Sequence, residues 1–210
     1  MLRRRPVRAT RLVPFVALVV LLASCGGSSS GAGSSDGGGG TTATTVAAKL
    51  FADNFTGVCQ GAGMSQAREY AKTGTHKALY FETYKDSLLD QSTQLPADWT
   101  VQFDAKTNAY AAIDIVACGV RTAQTFLKDC TGYQEDGKDT GHTVKLYSAT
   151  YTVTVHQATS GKTLGTTTMS ADDSTCPSFQ SFDEGETTVK SYDSPGKDKI
   201  TAFLKPFIQP

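Results

Sequence analysis

Between Thr143 and Ala158 two kinds of side chain alternate, and this run constrains the chain more than any other feature. Tyr147, Ala149, Tyr151, Val153 and Val155 share one parity, while Ser148, Thr150, Thr152, Thr154 and His156 share the other. Successive side chains of a strand point to opposite faces, so this pattern places the first set on a covered face and the hydroxyls and His156 in solvent. Thr159-Ser160-Gly161-Lys162 then reads as a turn, and Thr163 to Ser170 as the returning strand of a hairpin.

Other elements follow from the same rules. Ala111 to Val120 is apolar on both faces apart from Asp114, which suits an interior strand, and Lys77 to Tyr84 is a further strand candidate. Ile200, Phe203, Leu204 and Phe207 recur at helical spacing behind Ser194-Pro195. Pro206 and Pro210 predict that this helix is short, because an interior proline removes a backbone donor. A second helix is expected over Ser65 to Lys72. The expected fold class is α+β: a mainly antiparallel β-sheet with one or two short helices on one face, held by two disulfides.

The N-terminus carries an address. Arg3, Arg4, Arg5, Arg8 and Arg11 precede an apolar run from Leu12 to Ala23 that only Pro14 interrupts. About a dozen residues is too short to span a bilayer and matches the apolar region of an export signal. The run ends in Leu22-Ala23-Ser24-Cys25, which resembles the lipobox of bacterial lipoproteins. That resemblance implies a diacylglyceryl group on Cys25 and cleavage just before it. Two acyl chains are enough for stable anchoring. Pro6 and Val7 follow the arginines where a twin-arginine signal needs a bulky apolar pair, so general secretion is expected. From Gly26 to about Thr45 the chain is almost entirely Gly, Ser, Thr and Ala, a flexible spacer with a reach of roughly 25 Å. Thr41, Thr42, Thr44 and Thr45 are candidates for O-linked sugars, the alternative being an unmodified spacer.

The expected organisation is therefore a signal over 1–24, the lipidated Cys25 and a tether over 25–47, and one extracytoplasmic domain over 48–210 at the cell membrane. Two-lobed substrate-binding lipoproteins need about twice this length. The whole chain carries 20 basic and 20 acidic residues. Five of the basic ones lie in the signal, which leaves 15 against 20 and a net charge of −5. That balance disfavours nucleic acid as a partner. Within the domain remain Cys59, Cys118, Cys130 and Cys176, an even number that reads as two disulfides with three possible pairings. Cys118 closes the interior strand and Cys130 follows a short apolar stretch, so Cys118–Cys130 is expected as a local staple and Cys59–Cys176 as the long closure. The long loop would contribute about 4–5 kcal/mol. A zinc site would need a C-x-x-C or a histidine pair nearby.

Several short motifs recur together elsewhere. Val58-Cys59-Gln60-Gly61, Val116-Ala117-Cys118, Cys130 with Tyr133, the Thr-Ser-Gly-Lys turn and Cys176-Pro177 together resemble a family of uncharacterised exported lipoproteins, mostly actinobacterial. In that pattern the tyrosine sits two places after its cysteine, and here it sits three. The resemblance covers most of the domain and implies location and disulfides, not an activity.

Chemical candidates are few. His142 follows Asp136-Gly137-Lys138-Asp139, a turn composition without the ligand spacing of a calcium loop. Gly63-Met64-Ser65-Gln66-Ala67 lacks the second glycine of a nucleophile elbow. Asp172 and Asp173, and Asp183, Glu184 and Glu186, lie in polar stretches and are expected to be solvated. Trp99, Phe103, Tyr80, Tyr84 and Tyr110 are expected in the core, with a ligand pocket as the alternative. No catalytic residue, metal ligand or cofactor is assigned. The expected function is a non-catalytic binding or interaction module, with an envelope protein or a lipid as ligand. A lipid or small-molecule carrier and an envelope hydrolase are the alternatives.

Overall fold

The alternating run forms a strand of fifteen residues in a mixed sheet. The computed structural model describes residues 48–210, so the export signal, Cys25 and the tether lie outside the described residues. After a 3-10 helix over Ala52–Gln60 come the strands β1 (Ala78–Tyr84), β2 (Ser87–Asp90), β3 (Ile115–Cys130), β4 (Gln134–Glu135), β5 (Lys138–Asp139), β6 (Thr143–Gln157), β7 (Thr163–Ala171) and β8 (Thr188–Tyr192). The helix α1 (Lys197–Ile208) follows. The main sheet runs β2-β1-β3-β6-β7. Along the far edge of β6, β7 pairs with Ala149–His156 and β8 with Thr143–Tyr147. The β1–β3 and β6–β8 pairs are parallel and the other pairs antiparallel. The architecture is α+β with two disulfides, as expected.

Each face of the sheet is covered differently. Tyr80, Ala117, Val153 and Val155 pack with Ile200, Leu204 and Ile208 of α1. Burying each of those three helix residues contributes roughly 2 kcal/mol. Gly165 on β7 lets α1 come close, since a Cβ there would lie 2.5 Å from the Phe207 ring. On the opposite face Leu79, Phe81, Val116 and Cys118 pack against Phe55 and Val58 of the 3-10 helix.

Several expectations are corrected. The disulfides are Cys59–Cys118 and Cys130–Cys176, with Cα separations of 5.6 and 5.8 Å, not Cys118–Cys130 and Cys59–Cys176. The reason is the length of β3. Cys118 and Cys130 lie near opposite ends of one strand, some 40 Å apart at 3.3 Å per residue. A disulfide needs about 4.4–6.8 Å between Cα atoms, so two residues this far apart on one strand cannot pair. The interior strand begins at Ile115, with Ala109–Ala112 in a 3-10 turn, and runs on to Cys130. Ser65 to Lys72 is not helical. There the Met64 and Arg68 amides donate to Ala158 and Ile113 instead of to a helical turn.

At the C-terminus α1 continues through Pro206 to Ile208. The apolar stripe Ile200, Leu204 and Ile208 is buried on the sheet, and the Ile208 carbonyl accepts the His76 amide. That tertiary burial outweighs the donor lost at Pro206 in the last turn. His156 is buried, 8% exposed, where solvent was expected. A register shift between Val155 and His156 turns its ring under the hairpin loop, with Nδ1 3.0 Å from the Gly161 carbonyl. Among the described residues, no helix is long and apolar enough to cross a membrane.

Candidate functional site

The candidate site arises from a mismatch of lengths. At 1.5 Å per residue the twelve residues of α1 reach about 18 Å. The fifteen residues of β6 reach about 50 Å. The sheet therefore outruns the helix, and beyond the start of α1 the same face lies open. A cavity of about 300 Å³ occupies this step, with Glu82, Tyr84, Arg121, Tyr151, Tyr192 and Ser194 among its lining.

Its floor is built by register. Glu82 faces the same side as Tyr80 two residues earlier and pairs with Gly119 across the β1–β3 ladder. Gly119 is required there, because a Cβ would lie 2.7 Å from the Tyr80 hydroxyl. With that space free, Tyr80 Oη donates to Glu82 Oε2 at 2.5 Å, and Ser194 Oγ donates to the same oxygen at 3.0 Å. Both bonds fall on Oε2, leaving Oε1 without a donor among the described residues. Glu82 is 7% exposed. Burial raises its carboxyl above the usual range, and the two hydrogen bonds oppose that shift. Desolvation, followed by the nearby Glu82, pushes the Tyr80 phenol far upward. Tyr151, whose hydroxyl donates 3.0 Å to the Asp193 carbonyl, is pushed up to about 12, chiefly by burial.

The wall is aromatic and cationic. The Arg121 guanidinium lies 3.5 Å over the Tyr192 ring and donates to the Lys85 carbonyl at 2.9 Å. Tyr192 meets Tyr147 at 5.4 Å between centroids, and Tyr147 meets Phe126 at 5.6 Å, so rings from β8, β6 and β3 form a row leading from the cavity. Arginine over a ring face is held in orientation while keeping its other donors.

The residues singled out from the sequence take various places. Tyr80 and Trp99 are core residues; Tyr84 is exposed and lines the cavity, and Phe103 stacks on Phe51 at the surface. Asp172, Asp173, Asp183, Glu184 and Glu186 are exposed, as expected. Asp136 and Gly137 both adopt positive φ and form the tight turn between β4 and β5. Asp139 accepts the Gly141 amide. Ser65 is exposed in a turn. Among the described residues, no group of three or more His, Cys, Asp or Glu side chains converges as metal ligands. His76 Nδ1 sits 2.7 Å from Asp114 Oδ2, but its Nε2 is buried with no partner, so this pair presents no imidazole nitrogen to a hydroxyl nucleophile. The sequence alone placed none of Glu82, Arg121, Tyr192 and Ser194 in a site. Only a glutamate inside an otherwise apolar strand, Leu79-Tyr80-Phe81-Glu82, hinted at a buried carboxyl.

The motif clusters of the sequence meet in space. Tyr133 Oη donates 3.0 Å to the Pro177 carbonyl beside the Cys130–Cys176 bond. Gly161 of the hairpin turn packs on Gly61, where a Cβ would lie 2.4 Å from its carbonyl. No protein-family model, curated protein or solved structure matches this chain.

Proposed function

We propose that this protein is a cell-envelope lipoprotein, held by lipid on Cys25 at the outer face of the cell membrane, whose domain is a non-catalytic binding module. The observation that carries this reading is the cavity at the step beyond α1, where a stacked arginine and a buried carboxyl converge with exposed tyrosine. Its polar groups are held by fixed strands, which suits recognition more than chemistry. Two disulfides tie β3 at both ends and fit an oxidising compartment. The buried, partnerless Nε2 of His76 speaks against a hydrolase built on that dyad.

Fractionation of cells labelled with radioactive palmitate tests the anchor. The wild-type chain is expected in the membrane fraction carrying label, and Cys25→Ala in the soluble fraction without it. Equal partitioning of the two would overturn the anchoring.

A further inference from the structure

We propose that the cavity beyond α1 binds an acidic sugar, a hexose-sized ring carrying one carboxylate. The inference rests on the binding-module reading and names its ligand.

Charge is the first argument. Lys85, Arg121 and Lys190 line the cavity against one carboxyl, Glu82. The chain after the signal has a net charge of −5, so the local sign runs against that of the molecule. Lys85 is engaged only by a loose pair with Asp183 at 3.6 Å, in which both side chains are largely in solvent. Such a pair holds a lysine weakly. Arg121 is different. Its ring stack and its bond to the Lys85 carbonyl fix the guanidinium plane, yet among the described residues no carboxylate lies within ion-pair distance of it. A planar, immobilised guanidinium that has the Glu82 carboxyl nearby but no carboxylate in direct contact suits a carboxylate arriving from outside.

The remaining lining chooses between a bare anion and a sugar. Gln91, Gln94 and Gln180 bring side-chain amides that keep spare capacity beyond the Gln94–Gln91 bond at 3.3 Å and the Gln180–Ser181 carbonyl bond at 3.0 Å, and Ser194 brings a hydroxyl already turned toward Glu82. Amides of this kind match the paired donor and acceptor character of ring hydroxyls. Tyr84, half exposed at 52%, adds an aromatic face at the rim. Acetate would leave these groups unused, and a neutral sugar would leave Arg121 without a carboxylate in direct contact. Glu82 Oε1, free of donors among the described residues, is left to accept from a hydroxyl. The volume, about 300 Å³, sits at the lower end of small-molecule sites and accommodates a single ring.

The test is ligand-observed saturation-transfer NMR on the full chain in detergent micelles prepared from the membrane fraction. Sodium glucuronate, glucose and sodium acetate serve as separate probes in the millimolar range. Transfer to the ring protons of glucuronate is expected, with little to glucose or acetate. Arg121→Gln is expected to weaken glucuronate about tenfold, one lost charge-assisted contact. Lys190→Gln, an exposed position, gives a smaller loss and cannot be blamed on misfolding. Unchanged circular dichroism confirms that Arg121→Gln folds. No transfer from glucuronate, or transfer that ignores both substitutions, overturns the proposal. Equal signals from acetate would make the site one for bare anions, and equal signals from glucose would remove the charge argument; either result also overturns it. A chain missing from the membrane fraction would instead overturn the anchored reading, so the two failures are told apart before any ligand is added.

Discussion

Asp114 interrupts an otherwise apolar stretch, and its replacement by asparagine gives the sharpest test of how this fold is held. The carboxylate is 1% exposed and accepts from Arg68 Nε at 2.9 Å, from the Lys77 amide at 3.0 Å, and from Arg68 Nη2. His76 Nδ1 lies 2.7 Å from the same Oδ2 that receives Arg68. Through these contacts one side chain ties the irregular segment after the 3-10 helix to the start of β3. His76 in turn caps the last turn of α1 through its own amide.

In Asp114→Asn the oxygen facing Lys77 survives. An NH₂ replaces Oδ2, so a donor confronts the arginine donors. The Arg68 side chain is 43% exposed and recovers part of its loss in water. His76 has no such route, because its ring is buried and its Nε2 already lacks a partner. Removing one member of a buried ion pair costs about 3–5 kcal/mol, and discounting for the exposed arginine leaves roughly 3 kcal/mol. For a domain of this size that lowers the melting temperature by about 6–12 °C. Urea unfolding followed by tryptophan fluorescence measures it, since Trp99 is buried in the core under α1. Arg68→Ala should cost clearly less. A loss below about 1 kcal/mol for Asp114→Asn at unchanged m would refute the idea that this network clamps the segment.

Three further predictions concern the disulfides and Glu82. Proteolysis without reduction should link the peptide of Cys59 to that of Cys118 and the peptide of Cys130 to that of Cys176; a Cys118–Cys130 species would contradict the strand. Replacing either pair by serine should cost about 4 kcal/mol by loop-closure entropy, for sequence separations of 59 and 46 residues. Because burial raises Glu82 above its unfolded value, the native state holds its proton longer than the unfolded state does. The associated stability is present below the ordinary glutamate pKa and is lost as pH rises through the raised one. The melting temperature of the wild type should therefore gain on that of Glu82→Gln as pH falls from neutral toward 4, and parallel curves would show that the carboxyl is not desolvated.

What the chain determined locally was legible where one period ran long enough. The alternation of Tyr151, Val153 and Val155 with threonines defined β6, and the Thr-Ser-Gly-Lys turn fixed its hairpin with β7. The stripe Ile200, Phe203, Leu204 and Phe207 marked α1, because helical periodicity is a property of neighbouring residues, and Ile200 and Leu204 of it are buried with the two phenylalanines packed at their side. Everything that depended on residues far apart came from tertiary structure. Cys118 and Cys130 looked close in sequence but lie along one extended strand, so geometry gave each a distant partner. Pro206 was accommodated because the burial of Ile208 on the sheet outweighs one missing backbone bond. The cavity formed because a helix of twelve residues cannot cover a strand of fifteen, since helical rise is less than half the rise of a strand. Glu82 from β1, Arg121 from β3 and Tyr192 from β8 meet there through register alone, and no stretch of sequence contains all three.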